Sequence, residues 1–185
     1  MTLGEICTKR RVVVLSDEIH CDFITKGNIH VPYASLNNEE IVRNSITYKS
    51  VSKSFNLSAM KCAYLLSTNP EYLDRITGAG QHRQSMNTLG IIAAEAAYNE
   101  CEDWLDQLVD YIDETQVFVE AFVRTKMPYV RFVKPEGTYL SWLEVSDAID
   151  RVGATATAAE DPAETPETVF QRYLVEHANI HVNPG

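Results

Sequence analysis

Residues 12–22 read VVVLSDEIHCD, a β-branched run that ends abruptly in Asp17, Glu18, His20 and Asp22. A short, nearly continuous apolar run of this kind predicts a buried strand over residues 11–16. The four polar groups fall where that strand stops. Charged side chains are rarely buried without a partner, so they face a metal, a substrate, a cofactor or water. In open α/β sheets the ends of the strands are where ligands bind.

Outward from this stretch, strand and helix patterns alternate. Residues 45–49 (SITYK) and 63–67 (AYLLS) predict two more strands. Asn69 as cap and Pro70 in the first turn predict a helix over PEYLDRITG that stops at Gly78. Residues 87–99 are Ala-rich and apolar almost all round, which predicts a helix buried within a larger body. From Glu102 the pattern becomes an amphipathic helix, with Leu105, Leu108, Ile112, Val119 and Phe122 on one stripe. Residues 129–133 and 138–143 predict two strands joined by the turn Lys134-Pro135-Glu136-Gly137. Residues 152–165 lack bulky apolar groups and predict a mobile linker. Thr165-Pro166-Glu167 opens a final helix carrying Val169, Phe170, Tyr173 and Leu174. Strands with helical crossovers, followed by a helix–strand–strand–helix–strand unit whose last strand is the short β-branched segment near residues 180–182, define an α/β protein with two lobes.

Composition narrows the classes of function. The chain has 185 residues, 45% hydrophobic and 23% charged, as in a soluble globular protein, and suits one domain or part of a larger one. A net charge of −10 argues against a nucleic-acid surface, whose footprint would be basic. The acidic runs near residues 100–120 and 144–167 read as solvated helix faces. No apolar run approaches a membrane span, and MTLGEICTKR has no signal-peptide core. Cys7, Cys21, Cys62 and Cys101 form no CxxC pair, which fits reduced thiols in the cytoplasm rather than a disulfide framework.

A second polar cluster, SVSKSFN at residues 50–56, follows the second predicted strand. It reads as a surface loop, as the SxxK serine-hydrolase motif, or as the seat of a cofactor-binding lysine. Ser50 and Lys53 match SxxK literally, but the SDN and KTG elements that belong with it are absent from the sequence. A metal site from Asp17, His20, Asp22 and His30 lacks any standard ligand spacing. The cofactor reading joins both clusters. A lysine that forms a Schiff base with pyridoxal phosphate needs an acid to keep the pyridine nitrogen protonated, so that the ring accepts an electron pair. Hydroxyls and a second cation hold the phosphate. Asp17, Lys53, Ser50 and Lys61 supply that set. On strand alternation Glu18 points away from Asp17, so Glu18 and Asp22 read as structural or solvated, and His30 as a loop residue.

Residues Asp17-Glu18-Ile19-His20-Cys21-Asp22, Ser52-Lys53-Ser54-Phe55-Asn56-Leu57 and Lys61-Cys62-Ala63-Tyr64 resemble the fold-type I pyridoxal phosphate enzymes. Within them the match is to the cystathionine β-lyase (C–S lyase) branch of the class I/II aminotransferase superfamily. The resemblance continues through Glu95-Ala96-Ala97-Tyr98 with Trp104-Leu105-Asp106, then Pro135-Glu136-Gly137-Thr138-Tyr139-Leu140 and Val182-Asn183-Pro184-Gly185. The segment 152–165 looks like an insertion. The resemblance implies residues 1–100 as part of a large cofactor-binding domain, and 101–185 as a linking helix and an incomplete small domain. It also implies pyridoxal 5'-phosphate as cofactor, with Asp17 on the pyridine nitrogen and His20 facing the ring's phenolic oxygen. Lys53 would hold the cofactor and move the substrate Cα proton, and Ser50 and Lys61 would contact the phosphate. The activity implied is β-elimination from an amino acid such as a cysteine conjugate, with transamination or a non-catalytic remnant as alternatives, in a homodimer. The family's glycine-rich phosphate loop, ring-stacking residue and substrate-carboxylate arginine are not found in these 185 residues. The chain alone is therefore expected to bind the cofactor weakly and turn over little.

Overall fold

A computed structural model describes residues 2–79 and 87–183. Two compact units emerge. One runs to Glu114 and takes in Glu136–Tyr139, and the other holds Thr115–Pro135 and the chain from Leu140 onward.

The first unit opens with α1 (Leu3–Lys9), closed at its start by a capping box between Thr2 and Glu5. Strand β1 (Val14–Asp17) follows, then α2 (Glu39–Arg43), capped by the Asn38 side chain. Next come β2 (Ser45–Ser50), the one-turn helix α3 (Val51–Ser54) and β3 (Ala63–Leu66). Helices α4 (Pro70–Gly78) and α5 (Thr88–Glu100) start from Asn69 and Asn87, whose side-chain oxygens each accept a backbone N–H of the first turn. Helix α6 (Glu102–Lys126) contributes its first half to this unit.

The sheet has the order β1-β2-β3, with β1 parallel and β3 antiparallel to β2. Only β2 is enclosed, with Ser45, Ile46, Thr47 and Ser50 buried. The strand expected over residues 11–16 is shorter and shifted. Arg11 adopts φ 56° and closes the turn after α1 through the Val12 N–H to Cys7 O bond, so pairing starts only at Val14. The strand is not buried either, since Leu15 is 62% exposed and β1 pairs with β2 alone among the described residues. Helix α5 is likewise present but open: Leu89, Ile91 and Ile92 are exposed, while Gly90 and Ala97 face inward. At Gly90 a Cβ would lie 2.7 Å from Met60 O, so a glycine permits this close approach.

Residues 134–137 do lie between two antiparallel strands, but those are only Arg131–Phe132 and Leu143–Glu144, so the connection is a long loop and not a tight turn. Glu136–Tyr139 belongs with the first unit, where Gly137 bridges Ile24 and the Thr25 N–H donates to Glu136 O at 3.0 Å. A pairing this distant in sequence overrides the local turn signal of Pro135-Glu136-Gly137.

In the second unit, β4 (Arg131–Phe132) and β5 (Leu143–Glu144) form a two-residue antiparallel ladder. Helices α7 (Ser146–Arg151), α8 (Ala154–Ala158) and α9 (Pro166–Ala178) enclose a small core of Ile149, Ala154, Ala158 and Val169. The segment 152–165 is thus not a mobile linker over its whole length. Small alanines at 154 and 158 let α8 pack against α9, where bulk was wrongly taken as the criterion of order. On α6 the buried positions are Ile112, Gln116 and Val123, whereas Phe122 is exposed. Gln116 satisfies its burial by accepting the Ser141 hydroxyl at 2.9 Å. Residues 180–182 are not in a strand. Pro184 and Gly185, which end the last resembling motif, lie outside the described residues.

Candidate active site

Asp17 ends β1 opposite Tyr48, and Ser50 ends the parallel β2 two residues further on. Both polar clusters therefore sit beyond the carboxyl ends of neighbouring parallel strands. The Asp17 carboxylate is exposed and accepts the Ile19 N–H at 3.2 Å, which leaves acceptor capacity for a ligand.

The turn that follows is built by its acids. Glu18 is 7% exposed and accepts from Ser16 Oγ (3.0 Å), the Tyr33 N–H (2.9 Å) and His30 Nε2 (3.2 Å). Burial alone would raise its carboxyl, but the Tyr33, His30 and Ser16 bonds outweigh it and hold the group below the ordinary range. The buried Glu18 and the part-buried His30 thus form one anchor for the loop at residues 30–33. A depressed carboxyl contributes stability above the unfolded value of about 4.3 and loses it as pH falls through the folded value. Thermal unfolding followed from pH 7 to pH 3 is expected to show Glu18→Gln less stable than the native chain at neutral pH, with the gap closing in acid. A gap independent of pH would remove this account of Glu18.

Asp22 ties the two clusters together. Ser54, fully buried in α3, donates to Asp22 Oδ2 at 2.5 Å, and the Cys21 thiol donates to Oδ1 at 3.4 Å. The helix that carries Lys53 is therefore fastened to the turn that carries Asp17 and His20. It is also held from the other side, where Phe55 stacks on Trp104 (centroids 6.2 Å) and meets Tyr98 edge-on (5.6 Å). Burial pushes the Cys21 thiol up despite its bond to Lys49, which keeps it protonated and a poor nucleophile.

A cleft of about 250 Å³ lies beside this turn, lined by Asp17, Glu18, His20, Cys21, Ile24, His30, Gly137 and Thr138. The structure thus brings Asp17 and His20 to one cleft. Lys53, Ser50 and Lys61 do not line it. Lys53 is half-buried on α3, and Lys61 is exposed at φ 49°, where it ends a 3-10 turn. The Ser50 hydroxyl caps α3 by accepting the Ser52 N–H at 3.0 Å and lies 2.7 Å from Cys62 O as donor. Any phosphate contact from Ser50 competes with that bond.

Sequence reasoning gave no role to Ser54 or Thr138. Ser54 stands next to Lys53 and opposite an unassigned acid, Asp22, which was the available signal. Thr138 lay within a quoted motif, but its partner is His20, at 3.2 Å between Oγ1 and Nδ1.

A carboxylate for a ring nitrogen, an imidazole beside it and a lysine on the adjoining helix together have the chemistry of a pyridoxal phosphate site, and the residues present fit that group. The whole chain, residues 1–185, matches the aminotransferase class I and II family, and it belongs to that family of pyridoxal phosphate-dependent enzymes. Among its relatives is the cystathionine beta-lyase PatB of Bacillus subtilis, 35% identical over 79% of this chain and 38% of PatB. Among solved structures, cystalysin from Treponema denticola, which contains a pyridoxal 5'-phosphate cofactor, superposes with a TM-score of 0.80. It is 27% identical, over 96% of this chain and 42% of that one. The PLP-bound C-S lyase from Staphylococcus hominis superposes with a TM-score of 0.75 at 26% identity, over 97% of this chain and 42% of the lyase. The chain thus spans about two fifths of the length of these relatives. Among the described residues, no helix is long and apolar enough to cross a membrane.

Proposed function

We propose that this chain is part of a pyridoxal phosphate-dependent carbon–sulfur β-lyase that converts cysteine conjugates such as cystathionine to pyruvate, ammonia and a thiol. The observation that carries this reading is the Ser54–Asp22 bond, which couples the Lys53 helix to the Asp17–His20 turn at the ends of parallel strands. The names of the relatives support the lyase over an aminotransferase of the same family. Residues 1–100 then belong to the large cofactor-binding domain and 101–185 to the linking helix and small domain of a homodimer. The four free thiols support a cytoplasmic setting.

Pyridoxal phosphate supplies an electron sink for the pair left on the substrate Cα when its proton is removed. With the cofactor bound, Asp17 would hold the proton on the pyridine nitrogen and His20 would serve the ring oxygen. Lys53 would be the anchor and, when free, the base that moves the Cα proton. Ser50 and Lys61 serve the phosphate, Lys61 as a point charge without the fork of an arginine.

The test is the fate of nitrogen and sulfur when cystathionine is supplied to the cofactor-loaded full-length protein. Pyruvate released in step with thiol is the expected result. Amino-group transfer to an added keto acid without pyruvate replaces the lyase with an aminotransferase. Neither reaction leaves a non-catalytic remnant.

A further inference from the structure

We propose that Thr138 is a positioning residue for His20: its hydroxyl donates to Nδ1, fixes the Nε2–H tautomer and leaves Nε2–H as the imidazole's donor toward a ligand of the cleft. The inference rests on the cofactor reading above for its purpose, though not for its geometry.

Thr138 has φ 67°, in the left-handed region. A β-branched residue there is an outlier, and such conformations persist only where the surroundings impose them. The surroundings here do. The Thr138 N–H donates to Phe23 O at 2.6 Å, the Thr25 N–H donates to Glu136 O at 3.0 Å, and Gly137 bridges Ile24. Gly137 lets the two segments close, since a Cβ there would stand 2.7 Å from Phe23 O. Glycine or asparagine would take the Thr138 backbone conformation with less strain, but neither has a hydroxyl.

That hydroxyl lies 3.2 Å from His20 Nδ1. The ring is held on its faces as well, with its centroid 5.3 Å from Tyr139 and 6.0 Å from the buried Phe23. A neutral imidazole has one donor and one acceptor nitrogen, and the bond made by one sets the state of the other. A hydroxyl can donate to Nδ1 or accept from an Nδ1–H; donation, the direction proposed, places the ring proton on Nε2. An electron-rich ring oxygen needs a donor opposite it, and the other tautomer would present a lone pair instead. Asp17, Glu18, Cys21 and His30 are the titratable groups lining the same cleft.

The purified chain, labelled with 15N at histidine, tests this without cofactor through two-bond proton–nitrogen correlation at a pH where the imidazole is neutral. His20 signals are assigned by their loss in His20→Gln. The expected result is an Nε2–H tautomer in the native chain and in Thr138→Ser, and an averaged tautomer in Thr138→Val, which keeps the β-branch and the volume. An Nδ1–H tautomer in the native chain overturns the proposal whatever the variants do. An unchanged single tautomer in Thr138→Val, or in Thr138→Ala should the valine variant not fold, overturns it too. Failure of pyridoxal phosphate to attach at Lys53 would overturn the cofactor reading and leave the tautomer result standing, so the two are separable.

Discussion

If Lys53 is the cofactor lysine, Lys53→Ala is expected to abolish covalent capture of pyridoxal phosphate by this chain. The cofactor's aldehyde condenses with a free amine, so competing lysines set the background. Lys49, the nearest in sequence, is partly buried, which favours its neutral form. Its hydrogen bond to Cys21 and the Asp22 charge outweigh that and keep it protonated. Lys61 is exposed and stands outside α3, at the end of a 3-10 turn. Lys53 stands half-buried on a helix fastened to the Asp17 turn, where an acid can act on the ring as the amine acts on the carbon. Incubation with the cofactor, borohydride reduction and peptide mass analysis should find the label on Lys53 and lose it entirely in Lys53→Ala. The substitution removes a half-buried side chain without ion-pair partners among the described residues, so stability should change by only about 0.5 kcal/mol. A label that persists on Lys49 or Lys61 at native yield would refute the assignment.

Gly137→Val carries the largest expected cost in stability. The added Cβ would meet a backbone oxygen, Phe23 O, at 2.7 Å, and Ile24 Cδ1 at 3.1 Å. A carbonyl in a paired segment cannot swing aside as a long side chain can. The Gly137–Ile24 bridge, the Thr138–Phe23 bond and the Thr25–Glu136 bond must therefore yield together. A loss of about 2–4 kcal/mol follows from overpacking with broken backbone bonds, measured by urea unfolding. Gly78→Ala is the control. No atom of the described residues lies within 4 Å of its added Cβ, and alanine is the better helix former. If Gly137→Val unfolds within about 0.5 kcal/mol of native, the close approach is not a structural constraint.

These two glycines show where the sequence was legible and where it was not. Caps act over three or four residues, so α4 and α9 were readable from Asn69 and Thr165, and α5 from its alanine-rich run. So were β2 and β3, and with them the α/β class. Burial was less readable, because it depends on what covers a face: Leu15 and the apolar side of α5 look like core and are exposed. Packing also ran against bulk, with Ala154 and Ala158 forming core where a linker was expected. At the site, Asp17, His20, Ser50, Lys53 and Lys61 stood out by residue type and motif. Their supports did not, because Ser54 finds Asp22 across 32 positions and Thr138 finds His20 across 118. Such pairings exist only once the sheet has formed. Glu18 proves structural, one of the two readings the sequence left open, but its partners Tyr33 and His30 arrive from the crossover between β1 and β2 and were not legible.

The Ser54–Asp22 bond has a consequence for how this site can vary. In the proposed roles Asp17 and Lys53 would serve opposite ends of one small ring; they are carried on a shared frame, and the frame's pin is a hydroxyl with no exposure to water. Displacing the acid-bearing turn displaces the amine with it, so their mutual spacing survives movements that would spoil two independent loops. Outward residues of that frame are then free to change with substrate preference, while position 54 tolerates little besides a small hydroxyl. Selection or engineering for a new amino-acid substrate should leave Ser54 and Asp22 untouched as a pair.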